Sequence, residues 1–200
     1  VGAPLLLLFD LGGVLLENAT FKSLSRLLPK TLELADLKHR WLMSASVRHF
    51  ELGEMSPDRF AEAFIDEWGV RLTPEEFLKE FSSWPRGFYP GVDDLLRTLR
   101  RKYRIGCLSN SNVVHWEKFN GFSDHFDIAL SSHLMGSIKP DEEVYFRALR
   151  ECDSEATETC FFDDQLANVE TAQRLGIKAH LVEGVAQLRD VLRSEGLLQS

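Results

Sequence analysis

Four short stretches of this chain carry the residue types that reactive chemistry needs. Asp10 closes the apolar run Leu5–Phe9 and is followed by Gly12 and Gly13. Ser109 and Asn110 close a second apolar run, Asp163 and Asp164 close a third, and Lys139 stands before Pro140. An acid at the carboxyl end of a central strand, beside glycines that let backbone approach a ligand, sits where open α/β sheets bind their ligands. Taken alone, Asp10 is equally an ordinary strand-ending turn residue; its partners decide. If the runs are parallel strands, Asp10, Ser109-Asn110 and Asp163-Asp164 face one crevice, with Lys139 on a loop beside them. Three carboxylates that close repel one another and raise each other's pKa values unless a cation lies among them. Aspartates without histidine or cysteine partners suit a hard cation, and Mg²⁺ is the usual one beside phosphate. The formal charges of three aspartates, Lys139 and one Mg²⁺ cancel. Without the metal the set is net negative and repels a phosphate dianion, so a metal is close to obligatory.

The elements that must position these groups follow from pattern. An unbroken apolar run such as LLLLF is what a parallel strand buried on both faces looks like. From Phe88 onward, helices alternate with strands. Helices are expected at Gly91–Lys102, Asp141–Glu151, Leu166–Leu175 and Ala186–Arg193, with another after Asn110. Strands are expected at Arg104–Leu108, Asp127–Ser131, Thr159–Phe162 and Ile177–Val182. That alternation predicts an α/β fold with a doubly wound parallel sheet.

The block between Val14 and Pro85 reads differently. Phe21, Leu24, Leu27 and Leu28 share one helical face, stopped by Pro29, and a longer amphipathic run covers Leu34 to Leu52 and closes at Gly53. Ser56-Pro57 and Thr73-Pro74 are helix starts, an N-cap followed by proline at the first helical position, and Gly69 closes the first of these helices. No strand-like alternation occurs in the block. A βαβ unit needs about 30 residues, so the excess between Asp10 and Arg104 is an insertion over the carboxyl end of the first strand, the layout of a lid. The expected division is a core of residues 1–16 and 88–200 and an all-helical cap of residues 17–87, hinged near Glu17–Ala19 and Arg86–Tyr89.

Composition bounds the function classes. The 200 residues are 44% hydrophobic and 27% charged, with a net charge of −8 and no basic block. Nucleic acid is therefore not an expected partner. Leu5–Phe9 is too short to span a bilayer and no charged segment precedes it, so neither a signal peptide nor a membrane partner is expected. Cys107, Cys152 and Cys160 have no metal-type spacing and read as reduced, buried thiols of a cytoplasmic protein. Nothing in the sequence speaks to oligomeric state.

In motif order and over essentially its full length, the chain resembles the haloacid dehalogenase-like (HAD) hydrolase superfamily. FDLGGVL, LSNSN, GSIKPD and FFDDQLANVETA resemble its four motifs. The cap stretch HFELGEMSPDRFAEAF and the last motif are similar to the helical-cap branch that holds bacterial α-glucose-1-phosphate phosphatases and the N-terminal phosphatase domain of soluble epoxide hydrolases. The resemblance implies a Rossmann-like core and a Mg²⁺-dependent phosphatase of a small phosphorylated metabolite such as a sugar phosphate. It implies Asp10 as nucleophile, forming an aspartyl-phosphate that water hydrolyses. It implies Mg²⁺ on Asp10, the Gly12 carbonyl and Asp164, with Asp163 assisting and Asn168 in the outer shell. Ser109, the Asn110 N–H and Lys139 would hold the phosphoryl oxygens beside Gly12.

One departure matters. Most phosphatases of this superfamily carry a second aspartate two residues after the nucleophile, as general acid and base, and here that position is Gly12. The expected consequence is a steep dependence of rate on leaving-group pKa, unless Glu17 or a cap residue such as His49 takes over. Arg48, His49 and Glu51 either reach into the site or form a solvated helix face. Trp41, Trp68 and Trp84 are expected in the cap core, and His115 and Trp116 in structural roles. The competing readings are a metal-free dehalogenase and a catalytically weak HAD-fold binding module. The first lacks the arginine such enzymes want soon after the nucleophile, and the second leaves nucleophile, lysine and paired aspartates without a reason to stand together.

Overall fold

A computed structural model describes residues 6–118, 122 and 124–199. Strand β1 (Leu6–Phe9) lies in a sheet with four later strands, β4 (Arg104–Ser109), β5 (Ile128–Ser131), β6 (Thr159–Asp163) and β7 (Lys178–Leu181). All pairings in this sheet are parallel and the order is β5-β4-β1-β6-β7. The first strand is therefore central, with the chain winding outward from it in both directions.

The unbroken apolar character of β1 has a direct cause. Leu6 and Leu8 pack on one face with α9 (Glu142–Glu151) and α10 (Leu166–Arg174). Leu7 and Phe9 pack on the other with α6 (Val92–Leu99) and α11 (Gly184–Ser194). Successive side chains of a strand point to opposite faces, so a strand covered on both sides must be apolar at every position. Each such buried side chain contributes about 1.5–3 kcal/mol. Cys107, Cys152 and Cys160 are free and buried, as expected. Among the described residues, no helix is long and apolar enough to cross a membrane.

The inserted block forms α1 (Thr20–Leu27), α2 (Leu34–Leu42), α3 (Ala45–Glu51), α4 (Pro57–Trp68) and α5 (Pro74–Phe81). Ser56 accepts from the Arg59 N–H ahead of α4, and Thr73 and Glu76 make a reciprocal capping box at α5. Gly69 ends α4 in the left-handed conformation, φ 69°. The block has its own core, in which Phe60, Phe64, Phe77, Phe81, Trp68 and Trp84 are buried together. Trp68 and Trp84 are core residues, whereas Trp41 is only partly buried at its edge.

Two features differ from the sequence expectation. The run Leu34–Leu52 is two helices, because Ser44 leaves the helix after Met43 and accepts from the Val47 N–H as a new N-cap. The joints of the insertion also carry strands, β2 (Leu16–Asn18) and β3 (Pro85–Phe88), paired antiparallel. They are too short to show alternation, and Pro85 and Gly87 look like punctuation rather than strand. The ribbon ties the two crossings of the chain together where hinges were expected.

Further contacts seat the helical block on the core. The Arg48 guanidinium lies 2.5 Å from the Asp141 carboxylate. Gly53 (φ 77°) passes so close to α8 (Ser132–Met135) that a Cβ there would collide with the His133 carbonyl. His115, on α7 (Val113–Lys118), stacks on Phe81 with ring centroids 4.1 Å apart.

Candidate active site

The register of the sheet brings the sequence-predicted residues together. Phe9 pairs with Cys107 and Phe162, so Asp10 stands level with Leu108 and Asp163 at the carboxyl ends of three adjacent strands, with Ser109 one residue beyond. The Asp10 N–H continues the ladder to the Phe162 carbonyl at 2.8 Å. This is the point where the strand order reverses, the general ligand site of open α/β sheets.

Lys139 joins the two acids. Its Nζ donates to Asp10 Oδ1 at 2.8 Å and to Asp163 Oδ2 at 2.7 Å, and the residue is only 2% exposed. Burial works against its ammonium, but the charges of Asp10 and Asp163 outweigh it and hold the proton more tightly than in an ordinary lysine. Asp163 is fully buried and accepts further bonds from the Gln165 N–H at 2.8 Å and the Asn168 amide at 2.9 and 3.0 Å. Asn168 therefore touches Asp163 directly.

Asp164 sits across a glycine turn. Gly13 has φ 81°, and a Cβ there would come within 2.8 Å of Asp164 Oδ2. Both the backbone conformation and the close approach require glycine at this position. Gly12 needs neither; a Cβ on it would meet Asn18 Nδ2 at 3.2 Å, so an asparagine amide borders the space where a side chain is missing.

Carboxylate oxygens of Asp10, Asp163 and Asp164 lie within 4.8 Å of one another. Burial is the main cause raising the pKa of Asp10, with Asp163 and Asp164 adding to it and Lys139 opposing. Burial followed by Asp163 does the same to Asp164. Three acids against one ammonium leave an uncompensated negative site, and an all-oxygen donor set of this kind fits a hard divalent cation.

Above the acids lies a cavity of about 310 Å³ between core and inserted helices. Asp10, Gly12, Ser109, Asn110 and Lys139 form its floor. Trp41, Arg48 and Glu51 come from the helical side. Of the trio left open by sequence, Arg48 and Glu51 border the cavity, whereas His49 pairs with Glu54 at 2.5 Å. Glu17 pairs with Arg86 on the surface. His115 also borders the cavity, but its nitrogens serve the Phe81 carbonyl at 2.8 Å and Asn112 at 3.3 Å.

Sequence reasoning assigned Asn110 its backbone N–H and missed its side chain. The amide brackets Lys139, donating to its carbonyl and accepting from its N–H, both at 2.9 Å. Among the described residues, the Ser109 hydroxyl makes a long 3.4 Å bond, to the Asn110 carbonyl.

The sequence profile of the haloacid dehalogenase-like hydrolases matches residues 5–176. The chain belongs to this family. It is 28% identical to a D-ribitol-5-phosphate phosphatase of Bacteroides thetaiotaomicron over 200 aligned residues, 93% of this chain and 95% of that protein. It is also 28% identical to a sesquiterpene phosphatase of Aspergillus oryzae, over 94% of this chain and 95% of that one. Among solved structures, a HAD-family enzyme of Bacteroides thetaiotaomicron in complex with magnesium and inorganic phosphate superimposes with a TM-score of 0.72 at 24% identity, covering 91% of this chain and 95% of that one. A HAD-like hydrolase of Porphyromonas gingivalis gives 0.77 at 22% identity, covering 99% and 100%. The chain is thus a HAD-family hydrolase with the five-stranded core and helical insertion of that family.

Proposed function

We propose that this hydrolase is a Mg²⁺-dependent phosphatase of a small phosphorylated metabolite, a sugar or polyol phosphate, acting through an aspartyl-phosphate on Asp10. The observation that carries the reading is the Asp10–Lys139–Asp163 chain of ion pairs, with Asp164 beside it, at the floor of a cavity of about 310 Å³. That volume suits a phosphate with a short carbon chain. Similarity along the whole chain to a ribitol phosphate phosphatase supports the substrate class.

Asp10 attacks phosphorus while the bond to the leaving oxygen breaks on the opposite side, toward the helical cap. Lys139 neutralises charge on the transferring oxygens, held in place by Asp163 below and the Asn110 amide at its backbone. Ser109 and the Asn110 N–H are the further donors to those oxygens. Asp10, the Gly12 carbonyl and Asp164 would hold Mg²⁺, which when bound supplies charge compensation to a phosphate dianion. Asp163, already occupied by Lys139, Asn168 and the Gln165 N–H, serves chiefly to anchor. Water then attacks the acyl phosphate, freeing Asp10 and inorganic phosphate.

The test is phosphate release from a panel of sugar, polyol and aryl phosphates, with Mg²⁺ and with EDTA. Turnover in Mg²⁺, its loss in EDTA and its loss in Asp10→Asn with a cooperative melting transition retained are expected. No release from any member of the panel, or undiminished release in EDTA, overturns the proposal.

A further inference from the structure

An in-line displacement places the leaving oxygen on the side of phosphorus away from the nucleophile. Asp10 attacks from the sheet, so that oxygen faces the cap. There the departing alkoxide needs a proton, and the residue two positions after Asp10 is a glycine whose side is bordered by the Asn18 amide. The Asn18 carbonyl oxygen is taken by the Thr20 N–H at 2.9 Å and the Thr20 hydroxyl at 2.5 Å, and an amide carries no acidic proton to give.

Glu51, the last residue of α3, borders the cavity from the cap and lies within electrostatic reach of both Asp10 and Lys139. Its place is held on both sides. Three residues earlier Arg48 grips Asp141, and two residues later Gly53 presses on the His133 carbonyl. Both contacts join α3 and the turn after it to the core, and Glu51 lies between them in sequence.

We propose that Glu51 is the general acid that protonates the leaving oxygen, a role delivered from the cap because Gly12 has no side chain to perform it. The inference rests on the phosphatase reading above. In the first half-reaction the Asp10–phosphorus bond forms, the bond from phosphorus to the leaving oxygen breaks, and the Glu51 proton passes to that oxygen. In the second, water attacks phosphorus, its proton passes to the Glu51 carboxylate, and the Asp10–phosphorus bond breaks. The cycle returns Glu51 protonated and Asp10 ionised.

The environment agrees with this cycle. Burial is the chief influence on the Glu51 carboxyl and lifts its pKa to about 8, with Asp10 adding to the rise and Lys139 opposing it. Lys38 and His39 from α2 and Arg48 from its own helix are the other charged or titratable groups bordering the cavity on that side. Arg48 is committed to Asp141, and Lys38 lies over the Phe21 ring at 5.8 Å.

The experiment compares p-nitrophenyl phosphate, whose phenolate leaves without help, with a simple alkyl phosphate, whose alkoxide does not. Parent, Glu51→Gln, Glu51→Asp and His39→Gln are assayed in Mg²⁺. General acids contribute about 10²–10⁴-fold. Glu51→Gln is therefore expected to lose about 100-fold or more in kcat/KM, which reports the first phosphoryl transfer, on the alkyl ester while its kcat/KM on the aryl ester stays within a few-fold of parent. Its slowed dephosphorylation, common to both esters, shows as a burst of p-nitrophenolate. Glu51→Asp, which keeps an acid, recovers part of the loss. Equal losses in kcat/KM on both esters show a merely structural role and overturn the inference. So does an unchanged leaving-group slope in Glu51→Gln, or a slope steepened in His39→Gln instead. Failure of the parent to cleave even the aryl ester overturns the phosphatase reading itself, and this inference with it.

Discussion

Asn110 holds the backbone of Lys139 by both ends of its amide, Nδ2 to the carbonyl and Oδ1 from the N–H, each at 2.9 Å. The residue that follows β4 thereby fixes the loop that carries the ammonium to Asp10 and Asp163. Two of the four sequence motifs are joined by one side chain. Asn110→Leu keeps the volume and removes both bonds, leaving two part-buried backbone groups without their partner. Net hydrogen-bond values of about 0.5–1.5 kcal/mol each predict a stability loss of about 2 kcal/mol. The displaced ammonium is expected to lower kcat at least tenfold. Urea unfolding and steady-state kinetics check both, and an unchanged kcat would show that Lys139 needs no such support.

The acid cluster makes a prediction about metal that requires no turnover. Asp10, Asp163 and Asp164 bring carboxylate oxygens within 4.8 Å of one another, against the single charge of Lys139. A cation that relieves this repulsion binds the folded chain and not the unfolded one, so it must raise stability. Millimolar Mg²⁺ is expected to raise Tm of the parent by several degrees. Asp164→Asn is expected to remove most of that rise, because it deletes a ligand charge that is not engaged with Lys139. A melting series with Mg²⁺, with EDTA and with a matched concentration of monovalent salt separates binding from screening. An equal shift from the monovalent salt would exclude a specific metal site.

Much of this arrangement is legible before any coordinates, and the reason is local. Leu6–Phe9, buried on both faces, has to be apolar throughout, and Ser56-Pro57 and Thr73-Pro74 announce helices through their own side chains. Asp10, Ser109 and Asp163 become neighbours through parallel register alone. What escapes sequence reading depends on chain segments far apart. The β2–β3 ribbon joins Leu16–Asn18 to Pro85–Phe88, each strand too short to show a period. The Asn110 amide finds Lys139 across 29 positions of sequence. His49 and Glu51 stand two residues apart on one helix, yet only one of them borders the cavity once the cap folds over. The break at Ser44 could have been found, since serine is a strong N-cap.

His115 connects core and cap, and its titration is a probe of that seam. Burial is the main cause lowering its pKa from 6.5 to about 4, against the opposing bond to the Phe81 carbonyl. As pH falls below 6.5 the unfolded chain takes up a proton that the folded chain refuses, so stability is lost progressively from pH 6.5 down to about pH 4. Acids with raised pKa, such as Glu51, push the other way in the same region, so the difference between parent and His115→Gln isolates the effect. Discounting for partial exposure, that difference is expected to change by roughly 2 kcal/mol across the window. Parallel stability curves for parent and variant would show that His115 titrates normally and that the seam is wet.

The last prediction concerns Gly12, where the proton donor of most family phosphatases is missing. Its φ is not in the positive range, so a side chain meets no backbone strain, and the nearest atom to an added Cβ is Asn18 Nδ2 at 3.2 Å. That is tight but yielding, because Asn18 is exposed and ends a three-residue strand. If Glu51 supplies the proton from the cap, an aspartate at position 12 is redundant in the parent and valuable when Glu51 is disabled. Gly12→Asp alone is therefore expected to change kcat on an alkyl phosphate by no more than a few-fold. In the Glu51→Gln background the same substitution is expected to restore at least tenfold of the lost rate and to flatten the leaving-group slope. The two acids would then be non-additive, the signature of groups that act on one step. Strictly additive effects on the alkyl ester would mean that the two positions serve different steps, and the division of labour between cap and core would have to be redrawn.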